Sequence, residues 1–497
     1  MNLSLLLRAA SREHRDRPAL DFGAESVQGS VTYGEMDAEA DRVAAGLRAL
    51  GVAHGDRVAI AMGNIPHFCY AYFGILRAGG IAVPLNPTLT ARELGRILSD
   101  SGARVVLTAP PAEEAVADVA SGVSTVDRVV SVSEWESALD GKDHADEETS
   151  ADDVAVLAYT SGTTGEPKGA MLTHGNLVAN LDQQMAIPEA HVTRDDVLYL
   201  SLPLFHIYGL NVTLGLMVMN AARGLLIERF EPVRALRLIE ERGVTVVFGA
   251  PPMYVAWVGT PGADQYDLSK VRLAVSGAAP LAIEVLEDFN NLFGIDIYEG
   301  YGLTETAPTL TSNRMAGEPR AGSVGTPLAQ VELRLVDDAG KDVELGDPGE
   351  IVVRGPNVFK GYWGRDELTR EAFLADGWFR TGDIAVQDEE GYIYLVDRKR
   401  DLIIVSGFNV FPSEVEEALL EHPAVEQAAV IGAPHPHTGE AVRAYAVVAE
   451  GRRVGEEELI EHVRARLARF KCPESIELVD ELPTLLTGKV LRRELRT

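Results

Sequence analysis

The chain has 497 residues, 46% of them hydrophobic and 24% charged, with a formal charge of −30. That length exceeds one ordinary core, so two or more domains are expected in a globular protein. Such acidity repels phosphate backbones and excludes nucleic acid as a natural partner; any polyanionic ligand must be held by local cations and backbone amides.

The N-terminal run MNLSLLLRAASREHRDRPAL turns to charge too early for a signal peptide and predicts an amphipathic helix. The only cysteines, Cys69 and Cys472, are far apart, so neither a disulfide framework nor a zinc spacing is available. A reducing, cytoplasmic location fits that usage. Apolar runs at Arg57–Met62 and Ala103–Thr108 predict strands, and the acidic stretch Asp140–Asp153 predicts an exposed loop. A strand at Val154–Ala158 then leads into YTSGTTGEPKG, Tyr159 to Gly169. Its three glycines let the backbone approach a ligand closely. Thr160, Ser161, Thr163 and Thr164 supply hydroxyls, Lys168 supplies charge, and the loop amides can form an anion nest. This suits a polyphosphate, although the Walker A spacing fails.

The stretch Gly209–Ile227 contains Asn211, Asn220 and Arg223, and predicts a buried helix rather than a membrane span. A helix at Pro232–Arg242 with strands at Val244–Phe248 and Val271–Val275 continues an alternation that predicts α/β architecture with largely parallel sheets. From Val331 the pattern changes. VELRLVDD, GEIVVRGP and GYIYLVDR predict a compact β subdomain. Beyond Asp397 come a helix at Pro412–His422, strands near Val425–Ile431 and Val442–Val448, and a helix at Gly455–Phe470. The charged cluster DRKRD, Asp397 to Asp401, is the expected boundary, giving domains 1–397 and 398–497, the second a small α+β unit.

YTSGTTGEPKG resembles the signature loop of the adenylate-forming superfamily, which includes acyl-CoA synthetases, luciferases and adenylation domains of peptide synthetases. The resemblance recurs along nearly the whole chain in the family's motif order. It implies an enzyme that joins a carboxylic acid to ATP as an acyl adenylate, with release of pyrophosphate, and then passes the acyl group to a thiol. ATP, Mg²⁺ and CoA are the implied cofactors and co-substrates. LPLFHIYGL, Leu202 to Leu210, resembles the motif bordering the acyl pocket, with His206 as gate beside the carboxylate. SGAAPL resembles the segment lining the adenine and acyl pockets through Ser276, Gly277 and Ala278. EGYGLTET, Glu299 to Thr306, resembles the second nucleotide motif. By that resemblance Glu299, Gly300, Tyr301 and Gly302 line the nucleotide, Tyr301 stacks on adenine, Thr304 contacts the α-phosphate, and Glu305 with Thr160 holds Mg²⁺. In the signature loop Ser161, Gly162, Thr163, Thr164 and Lys168 hold phosphate.

WFRTGD, Trp378 to Asp383, resembles the ribose motif, with Asp383 and Arg398 on the ribose hydroxyls. PTLLTGKVLRREL, Pro483 to Leu495, resembles the C-terminal lysine motif, so Lys489 neutralises charge during adenylation. Arg400 falls at the family's hinge, about which the small domain rotates between half-reactions. VSGFNVFPSE then offers Ser406, Gly407 and Phe408 to the pantetheine arm of CoA.

The expected acyl walls are Tyr208, Gly209, Phe248, Ala250, Met253, Ser276, Gly277, Ala278, Gly300 and Val324, mostly small or apolar. Such walls accept an alkyl or aryl chain and penalise a second carboxylate. Malonate-activating relatives place an arginine at the position of Gly300, so dicarboxylates are disfavoured. The motif forms most resemble medium- or long-chain fatty acid ligases, with cinnamate-type aryl acid ligases as the alternative. The compact run from RTGD to DRKRD lacks the insertion of fatty-acyl-AMP ligases and favours CoA over a carrier protein. The expected partners are therefore small molecules, with a homodimer open.

Overall fold

The computed structural model describes residues 2–495 except 24–28, 142–147, 162–166, 189, 280, 318, 338, 399–402, 411, 450 and 484–494. Two sheets with helices packed between and around them make up the larger part. Among the described residues, the first has nine strands. Its centre is parallel: Ile297–Gly302, Leu273–Ser276, Val246–Gly249, Val197–Leu200, Arg223–Leu226 and Pro18–Phe22 lie side by side in that order. The strands Thr309–Ser312 and Thr326–Pro327 extend it antiparallel beyond Ile297–Gly302. The second sheet runs Arg128–Ser131, Val105–Thr108, Arg57–Ala61, Ile81–Leu85 and Val154–Ser161 in parallel, then Pro167–Thr173 antiparallel. The buried strands are apolar runs rather than alternating ones, as parallel sheets covered on both faces require. The helix Pro66–Arg77 is apolar nearly all round and buried at all but one position, the signature of a helix enclosed in the core.

A four-stranded antiparallel sheet follows, Glu332–Val336, Gly349–Arg354, Phe379–Gln387 and Ile393–Arg398, which is the β subdomain expected from the sequence. The small C-terminal domain has its own sheet of Phe408–Val410, Ile403–Val405, Gly439–Val448 and Val425–His435, with Ser475–Val479 added in parallel. Helices Pro412–Leu420 and Glu456–Arg464 complete a separate core around Val415, Leu419, Val430, Leu459 and Val463.

Two expectations are corrected. Gly209–Ile227 is not one helix. A wide helical turn spans Tyr208–Gly215 and an α-turn Leu216–Met219; the chain then bends at Ala221, whose φ is +49°, and enters the strand Arg223–Leu226. The polar Asn211 is what the wide turn accommodates: its amide donates to the carbonyls of Ala307 and Leu177. The helix expected at Gly455–Phe470 stops at Arg464. A short turn at Arg469–Lys471 follows and buries Lys471 between two carboxylates, which a continuing helix could not do. The N-terminal helix is Leu5–Glu13, and Pro232–Arg242 is helical to the residue, capped by the Glu231 carboxylate and by Gly243 at φ +63°. No described helix is long and apolar enough to cross a membrane.

Candidate active site

The hairpin Val154–Ser161/Pro167–Thr173 sets Thr160 directly opposite Lys168. Between them, Gly162, Thr163 and Thr164 lie outside the described residues, as does the side chain of Ser161. The Lys168 ammonium sits 5.8 Å from the ring centre of Tyr362, whose hydroxyl donates to Glu305 at 2.8 Å. Thr160, Lys168, Thr304, Glu305 and Tyr362 thus line one mouth of a single cavity of about 190 Å³. Tyr362 lies outside every recognised motif and was not legible as a site residue.

The strand Ile297–Gly302 carries the cavity's next wall. At Gly302 a Cβ would lie 2.0 Å from the Pro308 carbonyl oxygen, so the chain requires glycine there. The Tyr301 hydroxyl donates to Asp383 Oδ2 at 2.6 Å, fixing the ring and carboxylate together. Asp383 lies opposite Arg398 in the register of the β subdomain, although the Arg398 side chain lies outside the described residues. The strand Leu273–Ser276 ends in the turn Gly277–Ala278, with Ala278 at φ +72°, a strained conformation for a residue with a Cβ. Both turn residues line the cavity. Glu299 is buried and accepts from the Leu281 amide; burial pushes its carboxyl up to about 7.

His206 stands where this cavity meets a second one. Its Nδ1 accepts from the Tyr208 amide, and burial lowers its pKa to about 4, so the ring is neutral. Thr160, His206 and Thr304 line both cavities, so the two adjoin at these residues. The second cavity, about 150 Å³, is walled by Phe205, Phe408, Phe470, Glu414 and Lys471. Phe408 stacks on Phe205 with ring centres 6.3 Å apart, and Gly407 reaches the first cavity. Ser406 lines neither; its amide donates to the Thr438 carbonyl. Lys471 bonds Glu414 of its own domain at 2.8 Å and Glu93 of the large domain at 2.9 Å. Burial lowers the lysine's pKa, but the carboxylates outweigh it and hold the ammonium charged. Glu93 also closes the capping box of the helix Ala91–Ser101 with Thr90, so the contact is anchored to a helix end. Lys489 and Arg400 lie outside the described residues.

Of the expected acyl walls, Tyr208, Phe248, Ser276, Gly277, Ala278, Gly300 and Val324 line the cavity. Gly209, Ala250 and Met253 do not. Gly209 backs against the Pro203 carbonyl, where a Cβ would come within 2.2 Å, and Met253 packs under Ser201. The walls are also less apolar than expected. Gln184, Ser312 and Arg314 line the cavity, brought in from a helix end and a strand end outside all motifs.

The pattern of the AMP-binding enzyme family matches residues 7–363, and that of the AMP-binding enzyme C-terminal domain matches 414–489. The chain belongs to this family. A feruloyl-CoA synthase of Amycolatopsis sp is 41% identical over 468 residues, covering 94% of each chain. A long-chain-fatty-acid–CoA ligase of Bacillus subtilis is 34% identical, covering 99% of this chain and 93% of the relative. A solved o-succinylbenzoate CoA synthetase from Bacillus subtilis, bound with its product analogue, superposes with a TM-score of 0.87 at 31% identity, covering 99% and 98% of the two chains. ATP-bound MatB from Rhodopseudomonas palustris superposes at 0.74 with 34% identity, covering 100% and 98%. The family and these relatives make the chain an AMP-forming acid–thiol ligase, with a small-molecule acid, ATP and CoA as substrates, working through an adenylate.

Proposed function

We propose that the passage through Thr160, His206 and Thr304 is the path of the whole reaction: a small carboxylic acid meets ATP in the first cavity, and the CoA thiol arrives through the second. The observation that carries this reading is that residues of the signature loop, the His206, Ser276, Tyr301 and Asp383 motifs and Gly407 converge on one cavity, and that Thr160, His206 and Thr304 also border a second. Lys168 and Thr160 hold phosphate oxygens, Thr304 the α-phosphate, Tyr301 the adenine face and Asp383, with Arg398, the ribose hydroxyls. Glu305 and Thr160, on the wall of the same cavity, are the kind of sparse oxygen-donor set that suits Mg²⁺ already carrying phosphate and water oxygens. Bound there, Mg²⁺ supplies charge neutralisation of the polyphosphate.

In the first half-reaction a carboxylate oxygen attacks the α-phosphorus, and pyrophosphate leaves. Lys489 is the mobile cation that neutralises the meeting anions. In the second, the thiol sulfur attacks the acyl carbon and AMP leaves. Neutral His206, at the junction, excludes water and borders the reacting carbonyl. Residues 398–497 form the lid, hinged at Arg400. The domain arrangement supports a lid set for the second step. Gly407 lines the first cavity and Phe408 the second. The reading places the enzyme in the cytoplasm.

Pyrophosphate release measured with and without CoA tests the scheme. Adenylate should form without CoA, and thioester only with it. Lys489→Ala should still bind ATP and lose roughly a hundredfold or more of adenylation rate. Turnover of that variant at the parent rate would remove the role given to Lys489.

A further inference from the structure

The acyl cavity ends in a cluster of hydrogen-bond donors that nothing in the nucleotide chemistry uses. Arg314 is 2% exposed, yet its described partners are neutral oxygens: the Ser312 hydroxyl at 3.2 Å, the Ala190 carbonyl at 3.1 Å and the Gln184 side-chain carbonyl. Among the described residues no carboxylate pairs with it. Its guanidinium carbon lies 5.9 Å from the ring centre of Phe248, and that ring meets Tyr208 edge-on at 6.4 Å. Burial lowers the guanidinium's pKa to about 10, which leaves it charged at neutral pH.

The bond from Arg314 fixes the Gln184 amide with its oxygen toward the guanidinium. Gln184 Nε2 is therefore presented as a donor, and it has no partner among the described residues although Gln184 is 1% exposed. The Tyr208 hydroxyl, in a residue 8% exposed, is also without a partner. All three groups line the cavity. A buried donor left unmade is costly, and a buried cation without a counter-charge more so. This end of the cavity therefore lacks an acceptor.

The strand register places that end. Gly302 pairs with Thr309 and Gly300 with Ser312, antiparallel, so Arg314 lies back toward Tyr298. Thr304 and Glu305 follow the opposite end of the same strand. The donors thus face whatever part of the acid is furthest from its reacting carboxyl.

We propose that the acid is one whose far end carries an electron-rich oxygen, received by Arg314, Gln184 and Tyr208, and not a plain alkyl chain. This rests on the acid-activating reading above and reverses the order of substrates expected from the motifs. A saturated chain would leave the donors buried and unpaired, whereas a site built to bond a substrate oxygen discriminates strongly against the analogue that lacks it.

The test is adenylate formation, followed as pyrophosphate release without CoA, so that a failure of the CoA-acceptor reading does not obscure it. The acids are 4-hydroxycinnamate, 4-carboxycinnamate, 4-methylcinnamate and decanoate. At least one of the two oxygen-bearing acids should exceed both hydrocarbon-ended acids tenfold or more in kcat/KM, and which of the two leads identifies a phenol or a carboxylate as the occupant. In Arg314→Met and in Gln184→Leu the ratio should fall to within about twofold, with the rate on decanoate rising in Arg314→Met; a merely structural arginine could not produce that rise. ATP binding by each variant, measured calorimetrically, establishes that it is folded. A parent enzyme that favours decanoate, or a tenfold preference that survives in both variants, overturns the proposal. Release of no pyrophosphate from any acid would instead sink the acid-activating reading.

Discussion

Two arginines are equally hidden in this molecule and live in opposite surroundings. Arg77, at the end of a core helix, is 1% exposed and bonds Asp37 and Asp41 together: Asp41 Oδ1 at 2.7 Å and the Asp37 carboxylate at 2.5 Å. Arg314 is 2% exposed and bonds only neutral oxygens among the described residues. The first cation is paired with carboxylates and holds helices Tyr33–Ala49 and Pro66–Arg77 to one another. The second stands on a cavity wall, where its compensation must come from outside the chain. A buried charge that is paired belongs to the fold; a buried charge that is not paired, beside open space, belongs to a ligand.

Replacing each arginine breaks the comparison most directly. Arg77→Met should lose about 3 kcal/mol of stability, because it removes the more deeply buried of the two arginines that pair Asp37 and Asp41 and leaves them only Arg8, and denaturant unfolding would read this as a lower midpoint. A loss under about 1 kcal/mol would show the network to be dispensable.

Glu299 offers a second buried group on the cavity wall, one whose raised pKa makes its protonated form the folded one. The native state binds that proton more tightly than the unfolded chain, so this contribution to stability falls as pH rises from about 4.5 through about 7. Glu299→Gln removes the dependence. Its melting temperature should exceed the parent's at pH 8, by an amount worth about 1–3 kcal/mol, and match it near pH 4.5. Parallel pH profiles for the two proteins would contradict the assignment.

Glu93→Gln tests a third kind of pairing, that between domains. Lys471 keeps Glu414 but loses its charged partner on the large domain. Under the proposed lid scheme thioester formation should slow roughly tenfold while adenylation changes much less, because the contact belongs to the arrangement proposed for thioester formation. Equal losses in both half-reactions would mean that the contact does not favour one arrangement. The smallest effect is expected at Arg314 itself. Arg314→Met trades three hydrogen bonds for relief of an unpaired buried charge, so stability should change by no more than about 1 kcal/mol. A loss as large as that at Arg77 would return Arg314 to the fold.

Local rules read much of the architecture correctly because local physics governs it. The helix Pro232–Arg242 has its acidic cap before Pro232 and its glycine after Arg242, and both ends fall where those residues put them. The wide turn at Tyr208–Gly215 was illegible because an apolar run signals burial without signalling helical pitch. Motifs placed Thr160, His206, Tyr301, Glu305 and Asp383 at one cavity because each motif couples a local backbone shape to its side chain. They also nominated Gly209, Ala250 and Met253, which do not line it: Gly209 is backed by the Pro203 carbonyl and the Met253 sulfur meets Ser201.

What the amino-acid sequence determined by itself was the family and which residues gather on one wall: Thr160 and Lys168 face each other across a hairpin, and Tyr301, Thr304 and Glu305 follow one another at a strand end. Those residues lie within short described segments whose backbone shape is local. The end of the cavity at Gln184 and Arg314 was decided only by tertiary structure. Gln184 closes a helix and Arg314 follows a strand 130 residues away, and they share a hydrogen bond because the fold packs that helix end against that strand. Burial without a counter-charge is a property of such packing, not of any stretch of chain.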